Sequence, residues 1–425
     1  MSPSKSGAAA ASANRSANAR REMCRGTPVG LKLGMCAKLS SAPATGEAPR
    51  RGEAPIRELF GPGPSNVDPR VTRALAQPLV GHLDPYFLEV MDETMDALRR
   101  VYRTTNHHTI PMSATGSGGL ETIMLNLLEP GDEAIVGVIG YFGQRLAEMA
   151  SRAGATVRVL EAPLGDVIAP ERIAAELQKK PAKLVALVHA ETSTGAWQPV
   201  EEVAAIAHEH GALFAIDCVT SLGGVPVDID GWGVDAAGSC SQKCLGSPPG
   251  LAPVTFGPRA LDAVRRRRGK PSTWYFDLNL VFQYWGESGG PKDRVFHHTA
   301  PVASLYAFRE SLRLVLEEGL EARWRRHRDA HARFARGLER LGLELFTPAA
   351  QRLPQLNVIK IPPGVDDALV RHRLLERGIE IAGGFGPLKG KTWRVGLMGY
   401  NATAERVDLL LNAMEEVLRV GAPLR

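Results

Sequence analysis

Apolar runs and amphipathic stretches alternate along the chain from about residue 59 onward. Residues 134–138, 156–160, 184–188, 213–216 and 252–256 are short and nearly all apolar, the pattern of strands covered on both faces. Between them, residues 171–179 and 200–210 space their apolar positions for helices. Such alternation predicts an α/β layer with a mainly parallel sheet flanked by helices, whose ligands gather at the carboxyl ends of the strands. A charged helical stretch, roughly 303–341, leads into a remainder that reads strand, strand, helix, strand, strand, helix, with apolar runs at 357–361, 380–382 and 393–397. The expected organisation is a large domain over 56–310 and a smaller C-terminal α+β domain over 311–425. No run approaches the ~18 apolar residues that a membrane helix needs.

Charge changes the picture only for the first 55 residues. The net charge of the 425-residue chain is +5. Residues 1–55 hold three Lys and six Arg against Glu22, Glu47 and Glu53, a balance of +6, so the rest carries −1. A neutral body argues against nucleic acid as a partner, because a phosphate-binding face needs its charge on the fold. The tail is rich in Ala, Ser, Arg and Pro, lacks hydrophobic periodicity, and is expected to be disordered. Its composition fits either an organellar transit peptide or an over-extended start. The expected location is accordingly cytoplasmic, or mitochondrial if the tail is a transit peptide. Removing residues 1–55 should leave specific activity and melting temperature unchanged; a clear drop in either would show that the tail packs on the fold. The five cysteines are too few, and too scattered, for a disulfide framework or a four-ligand zinc site, and no metal is expected.

Three segments carry candidate chemistry. In Gly238-Ser239-Cys240-Ser241-Gln242-Lys243-Cys244-Leu245-Gly246 a single lysine follows an apolar run. Burial there lowers its pKa and makes the amine a nucleophile able to form a Schiff base. Alone, it reads better as a surface lysine in a loop. Asp217 alters that reading, since it ends the run 213–216 one strand–loop–strand step earlier. A carboxylate so placed can hold the ring nitrogen of pyridoxal phosphate protonated. The third segment, Ala114-Thr115-Gly116-Ser117-Gly118-Gly119, opens a helical pattern, and glycine-rich turns before a helix offer N–H groups to an anion.

In this order, the anion loop, the strand-end Asp and the strand-end Lys resemble the fold type I pyridoxal-phosphate enzymes, in the class V aminotransferase group. Gly61-Pro62-Gly63-Pro64-Ser65-Asn66, Glu191-Thr192-Ser193-Thr194-Gly195, Ser221-Leu222-Gly223-Gly224, Pro248-Pro249-Gly250, His297-His298-Thr299 and Arg394-Val395-Gly396-Leu397-Met398-Gly399 are similar to stretches of its alanine–glyoxylate aminotransferases. The resemblance runs from about Leu59 to Leu418. It implies pyridoxal 5'-phosphate as cofactor, Lys243 as the Schiff-base lysine and Asp217 as partner of the ring nitrogen. It implies Thr115, Gly116, Ser117 and Gln242 at the phosphate, Thr192 against the cofactor, and Phe142 stacked on the ring where the mammalian enzyme has tryptophan. Thr299 matches a threonine that reaches the phosphate of the neighbouring subunit, which implies a homodimer with shared active sites. Phe296 departs from the pattern, standing where the mammalian enzyme has a phosphate-binding tyrosine. Arg394 is the expected substrate residue, since its planar fork matches a carboxylate with two parallel hydrogen bonds.

The implied reaction moves the amino group of alanine or serine to glyoxylate, with no second basic residue evident beyond Arg394 to hold a distal carboxylate. The alternative is the ureidoglycine–glyoxylate enzymes, which share the Glu-Thr-Ser-Thr-Gly and Gln-Lys-Cys-Leu stretches but carry Gln at the position of His82 and Asn at that of Phe296. Cysteine desulfurases need a loop nucleophile after the lysine, whereas the last cysteine here, Cys244, adjoins it. His189 reads as a packed strand-end residue, and His297 and His298 as structural or at the dimer seam.

Overall fold

Seven strands form one sheet: β1 (His108–Met112), β2 (Glu133–Val138), β3 (Thr156–Glu161), β4 (Leu184–Val188), β5 (Leu213–Asp217), β6 (Ala236–Gly238) and β7 (Ala252–Phe256), in the order β1-β7-β6-β5-β4-β2-β3. The computed structural model describes residues 54–286 and 294–421; the tail 1–53, and the expectation of disorder placed on it, lie outside them. Every residue of β1, β4, β5 and β7 is buried, as their apolar runs require. Edge strand β3 is largely exposed and carries Arg158, a charge of the kind that keeps an open edge from pairing with another chain. Only β7 runs against its neighbours, which makes the sheet mainly parallel. The register sets Asp217 opposite Val188 on one side and Gly238 on the other, so three strands end at one level.

Two helices bring the loops at that level into place. Helix α1 (Gly116–Leu127) follows β1, and α2 (Tyr141–Arg152) follows β2. Gly119 permits α1 to lie close on the sheet, since a Cβ there would meet Ala252 Cβ at 2.8 Å. The charged helical stretch consists of two helices, α3 (Val302–Glu318) and α4 (Leu320–Arg340). Gly319 between them sits at φ 81°, a conformation no other residue type adopts cheaply.

The C-terminal region holds a three-stranded antiparallel sheet, β8 (Leu356–Lys360), β9 (Ala382–Gly383) and β10 (Thr392–Gly396), in the order β8-β10-β9. Of the first pair of strands expected there, only an isolated bridge, Leu345 to Ile359, precedes the helix Asp367–Glu376 beyond β8. One core fills the space around the large sheet, and a second joins α4, the small sheet and the last helix, Ala404–Gly421. Phe60 belongs to the second core, because Glu58–Leu59 pairs in parallel with Ile379–Glu380. The chain thus returns its beginning to its end.

Candidate active site

Of the residues singled out from sequence, Thr115 to Ser117, Phe142, Thr192, Asp217, Gln242 and Lys243 lie at or just beyond the carboxyl ends of β1, β2, β4, β5 and β6. Asp217 is the last residue of β5, buried, and accepts from the Val219 N–H at 2.8 Å. Burial pushes its carboxyl up to about 7; the Val219 N–H opposes the rise, the nearby Glu191 carboxylate adds to it, and Lys243 and Arg145 oppose it. Lys243 lies five residues beyond β6 and is 7% exposed. Its Nζ donates to Thr220 Oγ1 at 3.0 Å and Thr192 Oγ1 at 3.2 Å, and those hydroxyls are bonded to each other at 2.6 Å. Burial lowers the amine's pKa, so the neutral, nucleophilic form becomes more accessible.

The lysine's loop is pinned from three directions. The Ser65 N–H donates to Gln242 C=O at 3.1 Å, and Ser241 N–H to Leu251 C=O at 3.0 Å. Arg323, buried on α4, donates to the carbonyls of Cys244 and Gly223. The turn of Gly61 to Pro64 passes over the lysine stem, for a Cβ on Gly63 would meet Lys243 Cγ at 3.0 Å. This gives the Gly-Pro-Gly-Pro motif its place in the site.

Phe142 is the second residue of α2, with its ring centroid 5.9 Å from Lys243 Nζ. Arg394, central in β10, is 7% exposed and donates through Nε to Gly383 C=O at 2.9 Å. Its guanidinium lies 5.2 Å from the Phe385 ring centroid, and among the described residues it forms no ion pair. A tethered Nε leaves the other two nitrogens for an incoming carboxylate. Tyr141 packs on Phe385 at 4.2 Å, so the start of α2 meets the arginine's support across the site.

Several contributors escaped sequence reasoning. Arg145 brings a second guanidinium near the anion loop: its Nη1 donates to Ser117 Oγ at 2.9 Å, and it covers Phe142 at 4.8 Å. Its position one turn into α2, three residues after Phe142, was the available signal. Thr220, three residues after Asp217, and Glu191, whose carboxylate meets the first turn of α2, were likewise unassigned. Thr299 is exposed; its neighbour His298 bonds Ser113 Oγ at 2.7 Å, just ahead of the anion loop.

Comparison with known proteins shows the family. Residues 59–410 match the family described as aminotransferase class-V. The chain is 41% identical over 382 residues to an (S)-ureidoglycine–glyoxylate transaminase of Bacillus subtilis, covering 85% of this chain and 91% of that one. It is 41% identical over 365 residues to an alanine–glyoxylate aminotransferase of Callithrix jacchus, covering 85% and 88%. A crystal structure of alanine–glyoxylate aminotransferase from Nostoc sp. superposes with a TM-score of 0.84 at 49% identity, covering 86% and 96%.

The chain belongs to the class-V aminotransferase family.

As a class-V aminotransferase it works with pyridoxal 5'-phosphate, and the residues present fit that group. The first N–H groups of α1 have no intrahelical partner, and Thr115, at the N-cap, makes no side-chain capping bond to them. A Cβ on Gly116 would come within 3.0 Å of Cys240 Cβ, so only glycine leaves that approach open. An anion here finds unpaired donors, while a ring nitrogen finds Asp217.

Other chemistry is disfavoured at the same residues. Burial pushes the Cys244 thiol up to about 12 and that of Cys240 up to about 11, so neither is a thiolate near neutral pH. His189 is fully buried between Trp197, whose Nε1–H donates to Nε2 at 2.9 Å, and Ser221, 2.9 Å from Nδ1. The indole can only donate, so the imidazole proton sits on Nδ1. Burial holds His189 at about 3, a neutral packed residue. Among the described residues no group of three His, Cys, Asp or Glu is placed for a metal, and no helix is long and apolar enough to cross a membrane.

Proposed function

We propose that this aminotransferase moves the amino group of a small amino acid, alanine or serine, to glyoxylate, giving glycine and the corresponding 2-oxo acid. The observation that carries it is Arg394, a buried guanidinium with its Nε tied and no ion pair among the described residues, close enough to Lys243 for its charge to act on the amine. Both substrates of such an exchange present a carboxylate, and one arginine can serve each in turn. The aromatic surface of Tyr141, Phe142 and Phe385 beside it favours a short donor side chain.

The roles follow from the chain's own groups. Thr115, Gly116, Ser117 and Gln242 would hold the phosphate, Thr192 and Phe142 would flank the ring, and Asp217 would pair with its nitrogen. Pyridoxal phosphate, when bound, supplies the carbonyl that receives the amine and the ring that takes up the electron pair left at the substrate Cα. Lys243 Nζ takes the Cα proton as general base, kept in place by the Thr192 and Thr220 hydroxyls. Arg394 fixes the carboxylate so that the Cα–H bond points at that nitrogen.

Thr299 would serve the site of a second copy in a homodimer. The exposure of Trp274, Val295 and Phe296 in the segments near it supports that arrangement.

A ureidoglycine donor is the second reading, favoured by the Bacillus subtilis relative. Against it, His82 and Phe296 lie ring to ring at 5.1 Å, where the ureidoglycine pattern places two amides. The test is single-turnover loss of the cofactor's visible absorbance with alanine, serine and ureidoglycine, followed by glycine formation from glyoxylate. Alanine or serine should react fastest. Fastest reaction with ureidoglycine would transfer the assignment to the second reading.

Arg394→Lys should leave cofactor binding intact and weaken both half-reactions. The charge remains but the bidentate fork is lost, and one hydrogen bond to a charged group is worth about 1.5–3 kcal/mol, or roughly ten- to a hundredfold in kcat/KM. An amine donor without a carboxylate should be insensitive. Equal losses for all three substrates would move the carboxylate site elsewhere.

A further inference from the structure

A carboxylate is buried at the centre of the site without an ion-pair partner. Glu191 is 0% exposed, and among the described residues it forms no salt bridge. Its Oε2 accepts from the N–H groups of Phe142 at 3.1 Å and Gly143 at 3.2 Å, in the first turn of α2. Its Oε1 accepts from the Ser193 N–H at 3.0 Å and the Ser193 hydroxyl at 2.6 Å. That hydroxyl in turn accepts from the Tyr141 N–H at 2.9 Å. The fold makes room for this arrangement at Gly140, where a Cβ would fall 2.6 Å from Glu191 Cδ and 2.4 Å from Ser193 Oγ.

Burying a carboxylate without a cation is costly unless its oxygens are satisfied. Here four donors and the positive end of α2 satisfy it. Capping the helix alone would not require such a group, because a serine or aspartate at the N-cap does the same locally. What the long-range carboxylate adds is a tie between two segments. One carries Phe142, whose ring lies 5.9 Å from Lys243 Nζ. The other carries Thr192, whose hydroxyl accepts from that same Nζ.

We propose that Glu191 is a positioning residue for the cofactor: by bonding the first turn of α2 to the 191–193 segment, it fixes the Phe142 ring relative to Lys243 and so sets how tightly the planar ring of the cofactor is held. The proposal rests on the reading that Phe142 stacks on that ring. Glu191 acts through Phe142 and touches neither substrate nor the reacting atoms.

The test is a double-mutant cycle on pyridoxal phosphate affinity, with the cofactor-free protein titrated by absorbance and its melting temperature followed in parallel. The proteins are the unaltered chain, Glu191→Gln, Phe142→Ala and the double variant. Glutamine cannot accept from every donor now facing the carboxylate, and loss of one charged hydrogen bond predicts about tenfold weaker binding. Because the effect passes through the ring, Glu191→Gln should weaken binding less than about twofold once Phe142 is alanine. Equal weakening in both backgrounds, or a lower melting temperature with unchanged affinity, would overturn the proposal. Phe142→Ala with unaltered affinity would instead remove the stacking assignment, and the proposal with it. Ser193→Ala, which deletes one donor and keeps the carboxylate, provides the same cycle should Glu191→Gln fail to fold, with the same coupling expected at smaller amplitude.

Discussion

Lys243→Ala is expected to lower turnover by at least ~10⁴-fold, because it removes both the covalent attachment point and the proton carrier at the substrate Cα. The fold should survive the change. Lys243 Nζ is held by two hydroxyls that are already bonded to each other, so Thr192 and Thr220 keep a partner when the amine is gone. Its loop is pinned independently by Ser65, Ser241 and Arg323. The melting temperature of the cofactor-free variant should therefore stay within about 5 °C of the parent. Small amines in solution should restore part of the rate, since they can occupy the space of the missing side chain and carry the same proton. More than trace activity without them would remove Lys243 from the mechanism.

Asp217→Asn should separate function from stability. Catalysis should fall by about 10²–10³-fold, since a neutral amide no longer favours a protonated ring nitrogen. Stability of the cofactor-free protein should change in the opposite direction above neutral pH. In the unfolded chain the carboxyl ionises near its ordinary value of ~3.9, whereas in the fold burial lifts it to about 7. The folded chain thus holds an extra proton between those values, and its stability falls as pH rises through that window. Asparagine is neutral throughout and can still accept from the Val219 N–H. The variant should gain about 2–4 kcal/mol at pH 8 and little at pH 4. Denaturant melts of both cofactor-free proteins at the two pH values measure this. A loss of stability at pH 8 would mean that the carboxylate is better solvated in the fold than its burial implies.

The fold was legible where burial forces a simple pattern. Strands covered on both faces have no option but apolar runs, and five of the seven sheet strands stand where those runs predict them, although β3, at the edge, is largely exposed rather than covered. The strand-end Asp217 was legible for the complementary reason, since an ionisable residue closing an apolar run is costly unless used, whereas Lys243 lies five residues past its strand. The break within the helical stretch after residue 302 was not legible, because Gly319 interrupts it through a backbone angle and leaves the amphipathic period intact on both sides. The pairing of Glu58–Leu59 with Ile379–Glu380 was invisible, since two-residue strands have no period to read. Glu191 was hidden differently. A carboxylate reaching the start of a helix 49 residues earlier leaves no local spacing signal, and in sequence it is one acid in a turn. Arg145 sits on an ordinary amphipathic helix, and only the structure places its guanidinium over Phe142.

The central claim is that one buried lysine, beside one strand-end carboxylate, makes this chain a pyridoxal-phosphate aminotransferase. Its most direct test is borohydride reduction of the purified protein loaded with pyridoxal phosphate, followed by peptide mapping of the stable adduct. The predicted result is a single pyridoxyl group per chain, on Lys243, in a protein whose visible absorbance is lost on reduction. An adduct on another lysine, or none on a protein that gains no visible band with added cofactor, would contradict the account.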